Sequence, residues 1–260
     1  MFILQITDTH LFKNESDELL GCQTAKSFYK VIEMIKKESF PIDCILLTGD
    51  LSQDNSPESY YFLAERLSIF HCPIYWLAGN HDEFICMENA LSRTQLLPEK
   101  EIHFKEWSII LLNSVEEGKV AGFLSSEELE RLELFLKTAP TSHVVVALHH
   151  HPIPVGCSWL DGIGLQNNLE FQKILKASDK VRLVLFGHIH QDFDQQIQGI
   201  RYMAAPSTAI QFCPQTAEFT LDHRPPGCRY FELKPNGSIH TTVKRVQNYQ
   251  MKINYAATSY

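Results

Sequence analysis

No apolar run in this 260-residue sequence comes near the roughly 20 residues that a bilayer-spanning helix needs. The longest runs, such as residues 45–47 and 144–148, are far shorter, so no membrane span is expected. The opening residues Met1-Phe2-Ile3-Leu4-Gln5-Ile6 lack a basic segment and a cleavage site and read as a strand, so no secretory signal is expected either. No C-x-x-C pair occurs among the seven cysteines, whose number is odd. That set fits neither a disulfide framework nor a thiolate zinc site, and it suits a reducing cytoplasm. There is no Lys/Arg cluster with interleaved aromatics, and the net charge of −8 repels a polyanion, so nucleic acid is not an expected partner. Internal repeats and low-complexity linkers are also absent. With 44% apolar and 21% charged residues, the composition is that of a globular chain able to bury one full core. The expectation is a single domain over 1–260 with a loosely held tail after about residue 245.

What is present is a succession of short β-branched runs near 2–7, 43–48, 74–78, 108–113, 144–148 and 182–186, separated by helix-like stretches. This is the pattern of an α/β fold whose strands are covered on both faces. Phe28, Ile32 and Ile35 recur at helical spacing, as do Leu129, Leu132 and Leu136 after a capping-box start at Ser125 and Glu128. Beyond about residue 193 the pattern becomes polar and apolar alternation, and Lys234-Pro235-Asn236-Gly237 marks a turn between strands at 230–233 and 239–243. An antiparallel C-terminal portion follows, with residues 206–227 as an ordered loop over one face.

Five of the apolar strands end abruptly in clusters of Asp, Asn or His: Asp8-Thr9-His10, Gly49-Asp50, Gly79-Asn80-His81-Asp82, His149-His150-His151-Pro152 and Gly187-His188-Ile189-His190. In open α/β sheets, groups just past the carboxyl ends of strands converge on one crevice. The pooled donors are oxygen and imidazole without thiolate, enough for two metal ions and suited to iron, manganese or zinc. In a strand, residues two apart point to the same side, so Asp8 with His10 and His188 with His190 can share a centre. Gly49, Gly79 and Gly187 let the chain turn sharply beside an ion. Asp50, with two carboxylate oxygens, is the natural bridge. Asp82 reads either as a ligand or as the cap of the following helix. Spacing to Pro152 favours His150 as the ligand of the triple histidine. His71, His103, His143, His223 and His240 have no such context and read as surface or internally satisfied side chains.

The ordered set D-x-H, G-D, G-N-H-D, a His-rich strand end and G-H-x-H, spanning residues 8–190, resembles the calcineurin-like metallophosphoesterases. The resemblance implies a four-layer αββα sandwich. It implies one divalent metal on Asp8, His10, Asp50 and His190 and a second on Asp50, Asn80, His149 and His188, with the triple-histidine ligand now placed at His149. More closely, Leu4-Gln5-Ile6-Thr7-Asp8-Thr9-His10-Leu11-Phe12, the stretch from His149 to Asp161, Gly187-His188-Ile189-His190-Gln191 and Pro206-Ser207-Thr208 are similar to bacterial class III cyclic AMP phosphodiesterases. This implies hydrolysis of 3′,5′-cyclic AMP to 5′-AMP by in-line attack of a metal-bridging hydroxide. The phosphate would be held among His10, Asp50, Asn80, His81, His149 and His190, with His81 protonating the departing oxygen and Asp82 orienting it. The 157–161 segment and the 206–213 loop are the expected adenosine-holding groups, with Trp159 either stacking on the base or anchoring a loop. Rival readings are a related phosphoesterase acting on another diester or nucleotide, and a binding module that keeps the fold without catalysis.

Overall fold

The computed structural model describes residues 1–259. In chain order the elements are β1 (Phe2–Ile6), β2 (Glu18–Leu19), β3 (Cys22–Gln23), α1 (Thr24–Lys37), β4 (Cys44–Thr48), α2 (Pro57–Leu67), β5 (Ile74–Leu77) and α3 (Phe84–Leu91). There follow β6 (Glu101–His103), β7 (Trp107–Leu111), α4 (Ser126–Thr138), β8 (His143–Ala147), α5 (Ser158–Asp161), α6 (Asn168–Lys176) and β9 (Val181–Phe186). The chain ends with β10 (Phe193–Ile197), β11 (Ile200–Ala204), β12 (Gln211–Phe212), β13 (Leu221–Asp222), β14 (Gly227–Leu233) and β15 (Ile239–Arg245).

Each of the six strands expected from the N-terminal two-thirds is present, but they divide between two sheets, which periodicity alone does not reveal. One sheet has the order β15-β14-β1-β4-β5, the other β10-β11-β9-β8-β7-β6. The first is parallel from β1 to β5 and antiparallel on the β14–β15 side, and the second has a parallel centre with an antiparallel strand at each edge. The C-terminal alternation corresponds to the β10–β11 and β14–β15 hairpins, although β11 also pairs in parallel with β9. The turn at Lys234 is closed by Lys234 N donating to Ser238 O at 2.9 Å.

Three apolar layers explain why the central strands read as continuous hydrophobic runs. Phe28, Ile32 and Ile35 of α1, with Tyr60 and Leu63 of α2 and Met87 of α3, cover one face of the first sheet against Leu4, Ile6, Ile45 and Leu47. Leu132, Phe135 and Leu136 of α4, with Phe171 and Leu175 of α6, cover the second sheet against Val144, Val146, Val184 and Phe186. Between the sheets lie Ile3, Leu46, Leu77, Ile109, Val145, Ala147, Leu183, Leu185 and Phe231. The layering is therefore αββα, and each fully buried Leu or Ile contributes about 1.5–3 kcal/mol.

The α4 start is half of the expected capping box. Ser125 Oγ accepts from Glu128 N at 3.2 Å, while the Glu128 carboxylate accepts from Asn113 N at 2.8 Å. Residues 246–259 carry no regular element, yet they are tethered: Asn254 N donates to Leu20 O at 2.8 Å, and Met251, Ile253 and Ala257 pack on the core. Among the described residues, no helix is long and apolar enough to cross a membrane.

Candidate metal centre

Strands β1, β4 and β5 of one sheet end at Ile6, Thr48 and Leu77, and β8 and β9 of the other end at Ala147 and Phe186. Every sequence-predicted ligand lies on a loop just past one of these ends. The crevice is thus the shared rim of two sheets, fed by three strands from one and two from the other. Strand alternation is not what aims the paired residues, because the strands have already stopped. Asp8, His10, Asp50, His188 and His190 instead occupy the left-handed region, with φ of 53°, 45°, 51°, 68° and 50°. A non-glycine residue there costs about 1–2 kcal/mol, and such strain persists only where the surroundings impose it. Here Asp8 N donates to Gly49 O (3.0 Å), His10 N to Asp50 O (2.9 Å), and His188 N to Asp8 Oδ1 (3.0 Å).

The glycines act mainly by allowing close approach. Gly49, at φ 91°, turns the chain, but Gly79 and Gly187 have no positive φ. A Cβ at Gly79 would overlap the Asp50 carboxylate, and one at Gly187 would collide with Thr7 Oγ1 and Thr48 O.

These loops gather Asp8, His10, Asp50 and His190 so that one ligand atom from each lies within 4.8 Å of the others. A second group, His149, His150 and His188, meets the same condition. Asp50 joins the two. Its Oδ2 lies 3.8 Å from His10 Nε2 and 3.3 Å from His149 Nε2, while Oδ1 accepts from His81 N at 2.8 Å. Asn80 Oδ1 stands 3.2 Å from His149 Nε2, on the side of the second group.

Within the triple histidine, hydrogen bonding separates the candidates. His150, though near the second group, has both ring nitrogens engaged: Nδ1 with Ser114 Oγ (2.8 Å) and Nε2 with Val120 O (3.1 Å). His149 Nδ1 donates to Thr48 O at 2.8 Å, which turns its Nε2 toward Asp50 and Asn80. His190 Nδ1 donates to Ile210 O (2.9 Å) and His10 Nδ1 to Gln53 Oε1 (2.7 Å), the same device used twice more. Fixing the proton on one ring nitrogen leaves the other as a lone-pair donor. These acceptors, Thr48 O, Gln53 and Ile210 O, were not legible in the sequence, since two are backbone carbonyls and Gln53 has no motif around it.

The donor set fits divalent cations. Asp8 Oδ2, Asp50 Oδ2 and both ring nitrogens of His188 are buried without a hydrogen-bond partner. Each such atom costs about 1–3 kcal/mol unless something pairs with it, and a cation does so. Burial also keeps the imidazoles of His10, His188 and His190 neutral, as ligation requires. It pushes His10 down to about 3 and holds His188 and His190 well below their ordinary value. Burial raises Asp8 to about 7. Burial pushes the Asp50 carboxyl up, but the surrounding imidazoles, His149 foremost, outweigh it and hold the group well below the usual carboxylate range. Burial pulls His149 down, but Asp50, Asp8 and the Thr48 carbonyl together outweigh it and lift the imidazole to about 9, so a cation bound there displaces a proton.

Asp82 is not the helix cap. Glu83 caps α3, its carboxylate accepting from Ile85 N and Cys86 N. The buried Asp82 carboxylate instead accepts from Leu51 N, Ser52 N, Gly79 N and Tyr60 Oη at 2.9–3.1 Å, tying the loop that carries Asp50 to the loop that carries Asn80 and His81. The cap expectation fails because the helix begins one residue later than the turn residue suggests. His81 itself is half-buried at the rim, its ring edge-on to His10 with centroids 5.0 Å apart.

Of the histidines without a strand-end context, His103 bonds Ser108 and His143 bonds Pro235 O. His223 stacks on Tyr255 and His240 pairs with Glu232.

A family model described as calcineurin-like phosphoesterase matches residues 1–192. Among characterised proteins, the chain is 42% identical over 259 residues to the 3′,5′-cyclic adenosine monophosphate phosphodiesterase CpdA of Escherichia coli, covering 99% of this chain and 94% of that one. It is 38% identical to CpdA of Pseudomonas aeruginosa over 100% and 95% of the two chains. It is 39% identical to a 3′,5′-cyclic-nucleotide phosphodiesterase of Nostoc over 94% and 92%. In fold it is similar to a dimetal phosphatase from Danio rerio (TM-score 0.62, 13% identity, 95% and 99% coverage).

Proposed function

The chain belongs to the calcineurin-like phosphoesterases, and from that premise we propose that it hydrolyses 3′,5′-cyclic AMP to 5′-AMP at the crevice between its two sheets. The observation that carries this reading is the pair of ligand groups joined by the buried, unpartnered Oδ2 of Asp50, in a chain alike over its full length to cyclic AMP phosphodiesterases. One ion would be held by Asp8, His10, Asp50 and His190, the other by Asp50, Asn80, His149 and His188. Iron or manganese fits this nitrogen and oxygen set best, and zinc also fits. Bound there, two ions supply a clamp for the phosphate and lower the pKa of bound water to about 7.

The chain's own contribution is orientation. Thr48 O, Gln53 and Ile210 O fix the imidazole tautomers, Asp82 locks the two ligand loops together, and His81, next to Asn80 in the chain, would protonate the ester oxygen that departs as the ring opens. The seven unpaired cysteines support a reducing, cytoplasmic setting.

Protein loaded with manganese or iron should convert cyclic AMP to 5′-AMP, followed by chromatography of the nucleotides. Tight metal binding without conversion, or conversion only of unrelated phosphoesters, overturns the assignment. The histidine register has its own expected outcome. His149→Phe should bind one metal ion fewer per chain by elemental analysis, whereas His150→Phe should keep both and lose instead the anchor of the 114–120 loop. The reverse result would move the ligand to His150.

A further inference from the structure

A cavity of about 410 Å³ opens directly off Asn80 and His81, within the range of small-ligand sites. Its walls come from two segments that no motif singles out: the start of α3, with Phe84 and Ile85, and the loop after β7, with Asn113, Val115 and Glu117. Asn55 also lines it. Ile85 is 66% exposed, a large apolar side chain at the mouth of a hole rather than in a core.

We infer that this cavity holds the nucleoside half of the cyclic nucleotide, with the base between Ile85 and Val115; the inference rests on the hydrolysis proposed above. The 3′,5′-cyclic phosphate is fused to the ribose, so sugar and base must leave the phosphate site at its immediate edge. Asn80 and His81 belong to both the ligand crevice and the cavity wall, which makes the cavity the continuation of the phosphate site.

The lining has the chemistry a base requires. Ile85, Val115 and Phe84 offer apolar faces. The carboxamide oxygens of Asn113 and Asn55 are already taken by Val115 N and Glu83 N, leaving their NH₂ groups as donors to ring nitrogens. Glu83, Glu116 and Glu117 make the mouth acidic, with Lys119 neutralising only Glu116 at 2.6 Å. A neutral nucleoside enters such a mouth, and a molecule bearing further phosphates is repelled.

The segments expected from sequence to hold adenosine have other work. Trp159 packs edge-on against Phe212 and Phe219, with centroids 5.0 and 5.2 Å away, and so anchors a loop. The buried 206–213 loop supports the ligands from behind: Ser207 Oγ donates to Asp8 O (2.7 Å), and Phe212 stacks on His190 at 4.3 Å.

The test measures binding of 5′-AMP and of inorganic phosphate to manganese-loaded protein by calorimetry, alongside cyclic AMP turnover. Ile85→Ser and Val115→Ser lie on different elements. Each should weaken 5′-AMP by about tenfold, the effect of about 1.4 kcal/mol of lost apolar contact, while phosphate affinity and Tm stay at wild-type values. Trp159→Phe should leave the 5′-AMP affinity unchanged. If wild type turns over cyclic AMP but both serine variants bind 5′-AMP normally, or if only Trp159→Phe loses it, the cavity assignment is wrong and the hydrolysis stands. If wild type binds 5′-AMP no better than phosphate and leaves cyclic AMP intact, the functional reading itself falls and takes this inference with it.

Discussion

Asp50→Ala is expected to release metal from both halves of the centre and to lower cyclic AMP turnover by a factor of about a thousand or more, a loss of at least ~4 kcal/mol of transition-state stabilisation. The argument is geometric. Asp50 Oδ2 lies between the two groups, 3.8 Å from His10 Nε2 and 3.3 Å from His149 Nε2. It is buried without a hydrogen-bond partner, faced only by these imidazoles among the described contacts. Its removal also brings the neighbouring imidazoles together without the negative charge that makes the cluster hospitable to cations, and it leaves His81 N without its acceptor. Elemental analysis should therefore show fewer than one ion per chain in the variant against an expected two in wild type. A variant that retained two ions and lost only rate would show that Asp50 does not bridge.

Much of this centre was legible in the sequence because metal chemistry uses few residue types. An Asp, Asn or His just past an apolar run is conspicuous, and five such places in order leave little freedom. The outer supports were illegible for the same reason: Thr48 O and Ile210 O are backbone groups, which any residue type supplies. Strand existence was readable from β-branched runs, but the partition into two sheets was not, because a strand between helix and sheet is as uniformly apolar as one between two helix layers. Ile109 and Ile110 look alike in sequence, yet one faces the other sheet and its neighbour faces α4. The expected alternation grouped Asp8 with His10 as the structure does, though through the wrong geometry, since left-handed backbone at both residues replaces the pleat; for His188 and His190 it failed, because they fall in different ligand groups. The cavity walls were missed because Asn113 and Ser114 also end a buried strand, β7, but neither is a strong metal ligand, so this sixth polar strand end attracted no attention.

His81→Ala should separate acid catalysis from metal binding. The departing group in cyclic AMP is the ribose 3′ oxygen, an alkoxide that leaves poorly unless it is protonated as the P–O bond breaks. His81 is the imidazole at the junction of ligand crevice and cavity, half-buried, positioned by its own backbone N–H to Asp50 Oδ1 and by edge contact with His10. It lies outside both ligand groups, so its loss should leave two ions per chain. A positioned general acid contributes about 10²–10⁴ in rate, and kcat for cyclic AMP should fall within that span. A diester whose leaving group is p-nitrophenolate needs no proton, so on that substrate the same variant should lose less than about tenfold, on the scale where 1.4 kcal/mol is a factor of ten. Equal losses on both substrates would assign His81 to holding the phosphate rather than to protonating the leaving oxygen. Loss of a metal ion would make it part of the ligand shell. The leaving-group comparison decides between these because only the acid role depends on how readily the departing oxygen carries its charge.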